Sequence, residues 1–287
     1  MAKIDRVLLS CDDNPLYIQF LPIVSMAWQK ILGIKPTLAY VTDKNESEYE
    51  WIRKYCEDVL IFKVDWSLPN GRCRTFVPRL IMRYKFGSDI CMVSDIDMVP
   101  LSNRFNNLLD RWESDKLISY GYNVFKHGDG DPKSPISDPD LRKFPSCYTI
   151  ATSNIWKEII NPNNLDDDSL VKSWYNIKYY DYKEAVNTND FDDESLVRAM
   201  VQRWNPKRDR VIGIDRDIVI NKISRQFESM SDRLDRSKWN IDEEKLNNGI
   251  YIDAHCPRPM NDHIDSMKML AKHIGIDFVE GENNVKN

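Results

Sequence analysis

Ile90-Cys-Met-Val-Ser-Asp-Ile-Asp-Met-Val-Pro-Leu101 is the stretch on which the fold turns. Its apolar run, Ile90 to Val93, predicts a buried strand, and the run stops at Asp95-Ile-Asp97. Ligands of open α/β sheets sit beyond the carboxyl ends of the strands, so these carboxylates fall where a ligand would be held. Strand alternation would send Asp95 and Asp97 to one side and Ile96 to the other. Two like charges on a mostly buried strand repel and lose hydration unless a cation stands between them. Carboxylate oxygens are hard ligands suited to Mg²⁺ or Mn²⁺, ions that commonly join protein carboxylates to substrate phosphates. The bland alternative is a pair of solvated turn or cap carboxylates, since the pattern is short and the chain holds 45 acidic residues. The position of the pair between two apolar segments favours the metal site.

On both sides of this stretch, apolar runs alternate with helical spacing. Residues 7–10, 37–41 and 59–62 predict further strands, and 17–32, 47–56 and 75–86 predict helices between them. The first helix carries Phe20, Ile23, Val24, Trp28 and Ile31, closes at Gly33, and holds Pro22 where a kink is expected. Beyond Pro100 the pattern loosens. Strands are expected at 117–120, 148–152, 211–214 and 250–253, helices at 154–160, 192–203 and 264–274, and a long polar loop at 127–139. Strands alternating with helices imply α/β: a Rossmann-like, mixed and mostly parallel sheet flanked by helices. No repeat or low-complexity linker divides residues 1–287, so a single domain is expected, with a frayed tail at 281–287.

Composition narrows the class. Hydrophobic content of 42% and aromatic content of 11% describe a globular chain. A net charge of −5 gives no basic face for nucleic acid. No apolar stretch approaches the roughly 20 residues that cross a bilayer, and the start of the chain lacks a secretory apolar region. Cys11, Cys56, Cys73, Cys91, Cys147 and Cys256 are scattered, without zinc-type spacing, which suits free thiols and a cytoplasmic location.

Taken together, these pieces resemble the GT-A fold of nucleotide-sugar glycosyltransferases with an Asp-x-Asp signature. The resemblance rests on Val93-Ser-Asp-Ile-Asp-Met-Val-Pro100. It is supported by Val7-Leu-Leu-Ser-Cys-Asp-Asp-Asn14, Phe144-Pro-Ser-Cys-Tyr-Thr-Ile-Ala-Thr-Ser153, Phe191-Asp-Asp-Glu-Ser-Leu196 and a late His255. Compact glycosyltransferases without anchors occur in bacteria and in large DNA viruses of algae, and this chain resembles the latter; a viral protein would work in the host cytoplasm. The resemblance implies that residues 1–101 bind a nucleotide-sugar, UDP-linked, and that residues 102–280 bind a glycan acceptor. It implies that Asp95 faces the donor ribose or sugar and joins Asp97, the principal ligand, and His255 around Mn²⁺ or Mg²⁺. Taken alone, His255 is equally a histidine with ordinary hydrogen bonds, and His263 is the fallback. Arg258 stands where the family has Gly and Lys contacts to phosphate, and would clamp the diphosphate.

Ser10, Asp13 and Asn14 lie where the family holds the base, with Tyr17 placed to stack on it; an N-cap role for Asn14 ahead of Pro15 is equally natural. Among Arg72, Arg74 and Arg79, Arg79 is the expected donor contact. Asp193, then Glu194, is the expected general base for an inverting transfer, in an acidic cluster with Asp190 and Asp192 that the helix dipole alone would favour. Trp174, Tyr175, Tyr179, Tyr180 and Tyr182 offer either a sugar-stacking platform or ordinary packing. Two other functions compete. A nucleotidyltransferase would want a glycine-rich loop after the first strand, and Ser10-Cys-Asp-Asp-Asn-Pro-Leu-Tyr17 has no glycine. A non-catalytic carbohydrate-binding protein would keep the acidic pair for structure.

Overall fold

In the computed structural model of the chain, residues 2–63, 74–110, 112–124, 144–175, 193–220 and 227–278 are described. The first half builds β1 (Arg6–Asp12), α1 (Pro15–Ile18), α2 (Leu21–Leu32), β2 (Thr37–Val41), α3 (Glu46–Tyr49), β3 (Asp58–Phe62), α4 (Phe76–Met82) and β4 (Ile90–Val93). The four strands lie parallel in the order β3-β2-β1-β4. Then come β5 (Met98–Pro100), β6 (Leu117–Tyr120), β7 (Thr149–Thr152), α5 (Ser153–Ile160), α6 (Asp167–Tyr175), α7 (Asp193–Trp204) and β8 (Val211–Ile214). β7 joins β4 antiparallel, and β6 and β8 complete a seven-stranded sheet in the order β3-β2-β1-β4-β7-β6-β8. The expected α/β class with a mixed, mostly parallel sheet is the observed one.

Strand alternation divides the core into two layers. Val7, Leu9, Cys11, Ile90 and Met92 face α2, while Leu8, Ala39, Cys91 and Val93 face α4 and α5. On α2, Ile23, Val24, Ala27 and Trp28 are wholly buried, each larger side chain contributing roughly 1.5–3 kcal/mol by leaving water. The predicted helix 17–32 is in fact two. Asn14 caps α1 and Pro15 opens it, and α2 starts at Leu21 with Pro22 in its first turn. A first-turn proline has no hydrogen bond to break, so Pro22 starts a helix and kinks nothing. The helix expected at 47–56 is α3, opened by an Asn45–Glu48 capping box, followed by a 3-10 segment, Glu50–Lys54.

The chain ends in a second, smaller layer. After β9 (Ile218–Ile220) and β10 (Phe227–Met230), a hairpin, come β11 (Arg233–Asp235), α8 (Glu243–Asn247), β12 (Asp253–His255) and α9 (Ile264–Ile274). β12 sits between β11, parallel, and β5, antiparallel, with His255 opposite Met98 and Asp253 opposite Pro100. The strand expected at 250–253 is thus displaced: Ile250 is exposed, Tyr251 and Ile252 pack into the core, and the ladder begins at Asp253. The loop 127–139, the tail 281–287, Cys73 and Arg72 lie outside the described residues.

A buried ion network fixes this layer. Asp253 is fully buried and accepts from Arg216 Nη1 and Nη2, both at 2.9 Å, and from Arg233 Nε and Nη2, both at 3.0 Å. Arg216 also reaches Asp232 at 3.0 Å, and Asp232 accepts from the Tyr120 hydroxyl at 3.1 Å. Burial opposes the Asp253 charge, but the two arginines outweigh it and hold the carboxyl far below its ordinary value. A native pKa below the unfolded one stabilises fully above about pH 4, and that contribution fades as pH falls through the native value. Asp253→Asn is expected to cost about 3–5 kcal/mol in urea denaturation at pH 7, because it leaves two arginines without their carboxylate. The gap between variant and wild type should narrow below pH 4; a variant as stable as wild type at pH 7 would show that the network does not hold this layer.

Candidate functional site

At the carboxyl end of β4 the chain turns instead of continuing. Met98 N donates to Asp95 O at 3.2 Å, closing a turn over residues 95–98, and β5 leaves from it. Alternation therefore stops at Val93, and the expectation that Asp95 and Asp97 point the same way gives way to two separate environments.

Asp95 lies between Arg79 and Cys147. Arg79 Nη2 lies 2.5 Å from its Oδ1, and the Cys147 thiol donates to Oδ2 at 3.4 Å. Burial acts to raise its pKa, but Arg79, His255 and the thiol overcome this and hold it below its ordinary value. Burial pushes Cys147 well up, so it stays a neutral S–H. Arg79, expected as a donor contact, is itself buried and serves here as the partner of Asp95.

Asp97 is buried and ringed by cations. Its Oδ2 is 3.1 Å from Arg236 Nη1, 3.7 Å from His255 Nε2 and 3.8 Å from Arg258 Nε. The backbone fixes it too, since Cys256 N donates to Asp97 O at 2.9 Å. The β5–β12 ladder thus brings His255 and Arg258 to the acidic turn. His255 Nδ1 lies 3.4 Å from Asp235 Oδ2, so the ring bridges two carboxylates. Burial disfavours its charge, but Asp235 and Asp97 outweigh that and push it up to about 9.

The remaining expected residues fall into place unevenly. Asp13 accepts from the Tyr40 hydroxyl at 2.5 Å and the Thr42 hydroxyl at 2.8 Å, with Lys44 at 3.4 Å. Both its oxygens are engaged in bracing the ends of β1 and β2. Asn14 accepts from Leu16 N at 3.0 Å, the N-cap role. Ser10 is buried at the end of β1. The Arg258 guanidinium lies 4.3 Å from the centre of the Tyr17 ring, tying that ring to the acidic turn. Arg74 pairs with Asp43, and His263 packs edge-on against Trp239. Asp193 opens α7, but its side chain lies outside the described parts. Glu194 accepts from Ser146 N and Oγ, both at 3.4 Å. Trp174 is 1% exposed in the core, too buried to serve as a platform. The Tyr175 side chain, together with Tyr179, Tyr180, Tyr182, Asp190 and Asp192, lies outside the described parts.

Arg236, Asp235, Arg233 and Cys147 escape the sequence reading. The run Asp232-Arg-Leu-Asp-Arg236 held a signal, because charges flanking one buried leucine are unusual in a strand. Among the described residues no three His, Cys, Asp or Glu side chains converge as a metal set. Asp97 and His255 do fit as two ligands of one ion. Octahedral bonds of about 2.1 Å place neighbouring ligand atoms roughly 3 Å apart, so the two side chains, 3.7 Å apart as they stand, would draw together to share one ion. A small hard ion usually completes its shell with water and substrate phosphate.

No family model and no curated protein matches the chain. Among solved structures, the galactosyltransferase LgtC in complex with donor and acceptor sugar analogues aligns over 96% of this chain and 98% of its own, with 12% identity and a TM-score of 0.54. The chain has the fold of LgtC. An active-site mutant of LgtC aligns over the same shares with 13% identity and a TM-score of 0.53. The bifunctional glycosyltransferase WbbM aligns over 96% of this chain and 50% of its own, with 12% identity and a TM-score of 0.45. The likeness is one of fold, and the fold is the GT-A type expected from the sequence. No helix among the described residues is long and apolar enough to cross a membrane.

The Asp235 contact predicts a measurable effect on His255. In chelator-treated protein, Asp235→Asn removes one of two carboxylates that favour the charged ring, so the pKa should fall from about 9 toward the ordinary value of roughly 6.5. Histidine ring resonances followed through a pH titration give the value directly. An unchanged pKa would mean that Asp235 does not govern the ring.

Proposed function

We propose that the chain is a metal-dependent glycosyltransferase that moves a sugar from a nucleotide donor, UDP-linked, to a hydroxyl of a glycan acceptor. The observation that carries the reading is the meeting of Asp97, His255, Arg236 and Arg258 at the strand end of an LgtC-like sheet. A carboxylate and an imidazole beside two guanidinium groups suit a diphosphate and its divalent ion together. Asp97 and His255 would hold Mn²⁺ or Mg²⁺, which when bound supplies Lewis-acid stabilisation of charge on the departing diphosphate. An imidazole ligand favours Mn²⁺ of the two.

The chain's own groups supply the rest. Arg236 and Arg258 bind phosphate oxygens, their planar forks matching that geometry. Asp95, kept ionised by Arg79, faces the donor's ribose or sugar. Ser10, Asp13 and Asn14 lie where the base is held, with Tyr17 placed to stack on it. The carboxylates opening α7, Asp193 first and Glu194 second, meet the acceptor hydroxyl and take its proton in an inverting transfer. A purely structural role for the acidic turn would also satisfy its ion pairs, but that reading predicts no metal-dependent nucleotide binding.

A thermal-shift panel separates the two. A ligand that binds only the native state must raise the melting temperature, so UDP with Mn²⁺ should raise it where UDP alone does so weakly. No shift with UDP, GDP or CMP would bring the carbohydrate-binding reading forward. Asp97→Ala should abolish Mn²⁺-dependent donor turnover while the far-ultraviolet circular dichroism stays native; retained turnover would remove Asp97 from the metal. Asp193→Asn should keep UDP affinity and lose transfer. Near-normal transfer would move the base to Glu194 or show that the enzyme retains configuration.

A further inference from the structure

The partners of Asp97 differ in one respect from those of Asp253 and Asp95. Asp253 is gripped by arginines whose side chains are 2% and 11% exposed, and Asp95 by an arginine at 11%. Arg236, by contrast, is 37% exposed and Arg258 23%, while the Asp97 side chain between them is only 6% exposed. The first set is locked by packing. The second reaches in from solvent, and the Arg258 guanidinium lies over the Tyr17 ring.

We propose that Arg236 and Arg258 act as an exchangeable counter-charge for Asp97, so that metal and diphosphate bind as a coupled pair and neither binds well alone. The inference rests on the reading of Asp97 as a metal ligand. A divalent cation approaching Asp97 meets a carboxylate already paired with guanidinium groups and lies close to their positive charge, which opposes its binding. A diphosphate approaching alone finds the same arginines engaged by Asp97. When both arrive, the partners swap: the ion takes Asp97 and the His255 ring, which gives up its proton to solvent on becoming a ligand, and Arg236 and Arg258 turn to the phosphate oxygens, where bidentate pairing is favourable. Every charge is then neutralised. Coupling of this kind is reciprocal, so the nucleotide must raise metal affinity by the same factor as the metal raises nucleotide affinity.

The arginines consequently have opposite effects on two measurable affinities, which a simple phosphate clamp would not show. Titration of the protein with Mn²⁺, followed by the electron paramagnetic resonance of the free ion, reads metal binding without any turnover. In wild type, UDP should strengthen Mn²⁺ binding at least tenfold. Arg236→Gln and Arg258→Gln should each bind Mn²⁺ alone several-fold more tightly than wild type, while the strengthening by UDP shrinks. Arg236→Lys keeps the charge and should stay near wild type for Mn²⁺ alone. The inference is overturned if both glutamine variants bind Mn²⁺ alone no better than wild type, or if Arg236→Lys gains as much as Arg236→Gln. Wild type that shows no Mn²⁺-dependent binding of UDP or GDP would instead overturn the glycosyltransferase reading, and the inference with it.

Discussion

Everything at this site depends on a three-residue strand, β12, lying beside another, β5. A ladder so short contributes little, since each hydrogen bond is worth only about 0.5–1.5 kcal/mol net. The register must be fixed from beneath. Asp253 does this: it is the first residue of β12, and its carboxylate is held by Arg216, just past β8, and by Arg233, at the start of β11. One buried acid thereby pins three segments distant in sequence. A shift of β12 by one residue would carry Asp253 away from both arginines at a cost of several kcal/mol. It would also take His255 away from Asp97. Local energetics and the geometry of the site are thus set by the same interaction.

The charge distribution follows from that constraint. The chain carries a net charge of −5, yet its strand-end cluster gathers Arg79, Arg216, Arg233, Arg236 and Arg258 against Asp95, Asp97, Asp232, Asp235 and Asp253. These balance, and His255, pushed up to about 9, leans the cluster toward positive. An acidic protein would repel a diphosphate from most of its surface. Here the arginines are concentrated at the proposed diphosphate site, and the field of the rest of the chain is screened within about 10 Å.

The parallel half of the fold was legible because its strands are four to seven residues long and its helices alternate with them. β2, β4, β6 and β8 carry the expected boundaries. The small layer was not legible: three residues are too few for a period to show, and β5, β11 and β12 are defined by pairing across long separations. Asp97, His255 and Arg258 were picked out by residue type and place, and the structure brings them together. Arg236 and Asp235 were not, because their roles exist only once β11 lies against β12. Asp13 and Asn14 sit at the expected strand end, where Asp13 also accepts from Tyr40 and Thr42 and Asn14 takes the N-cap role offered as its alternative.

The turn at residues 95–98 explains why the two aspartates of the signature divide their labour. Had β4 run on through Asp97, both carboxylates would share one face and repel, and one cation would have to satisfy both. The turn instead gives each its own partner. Asp95 meets Arg79, which is packed in the core of α4 and cannot readily leave, so its charge and orientation are set permanently by the fold. Asp97 meets side chains that reach in from the surface, the proposed exchangeable partners. On the proposed reading, the site would use both kinds of carboxylate, one fixed to define the geometry and one whose partners change. The exposure of the arginines, more than the identity of the acids, distinguishes the two.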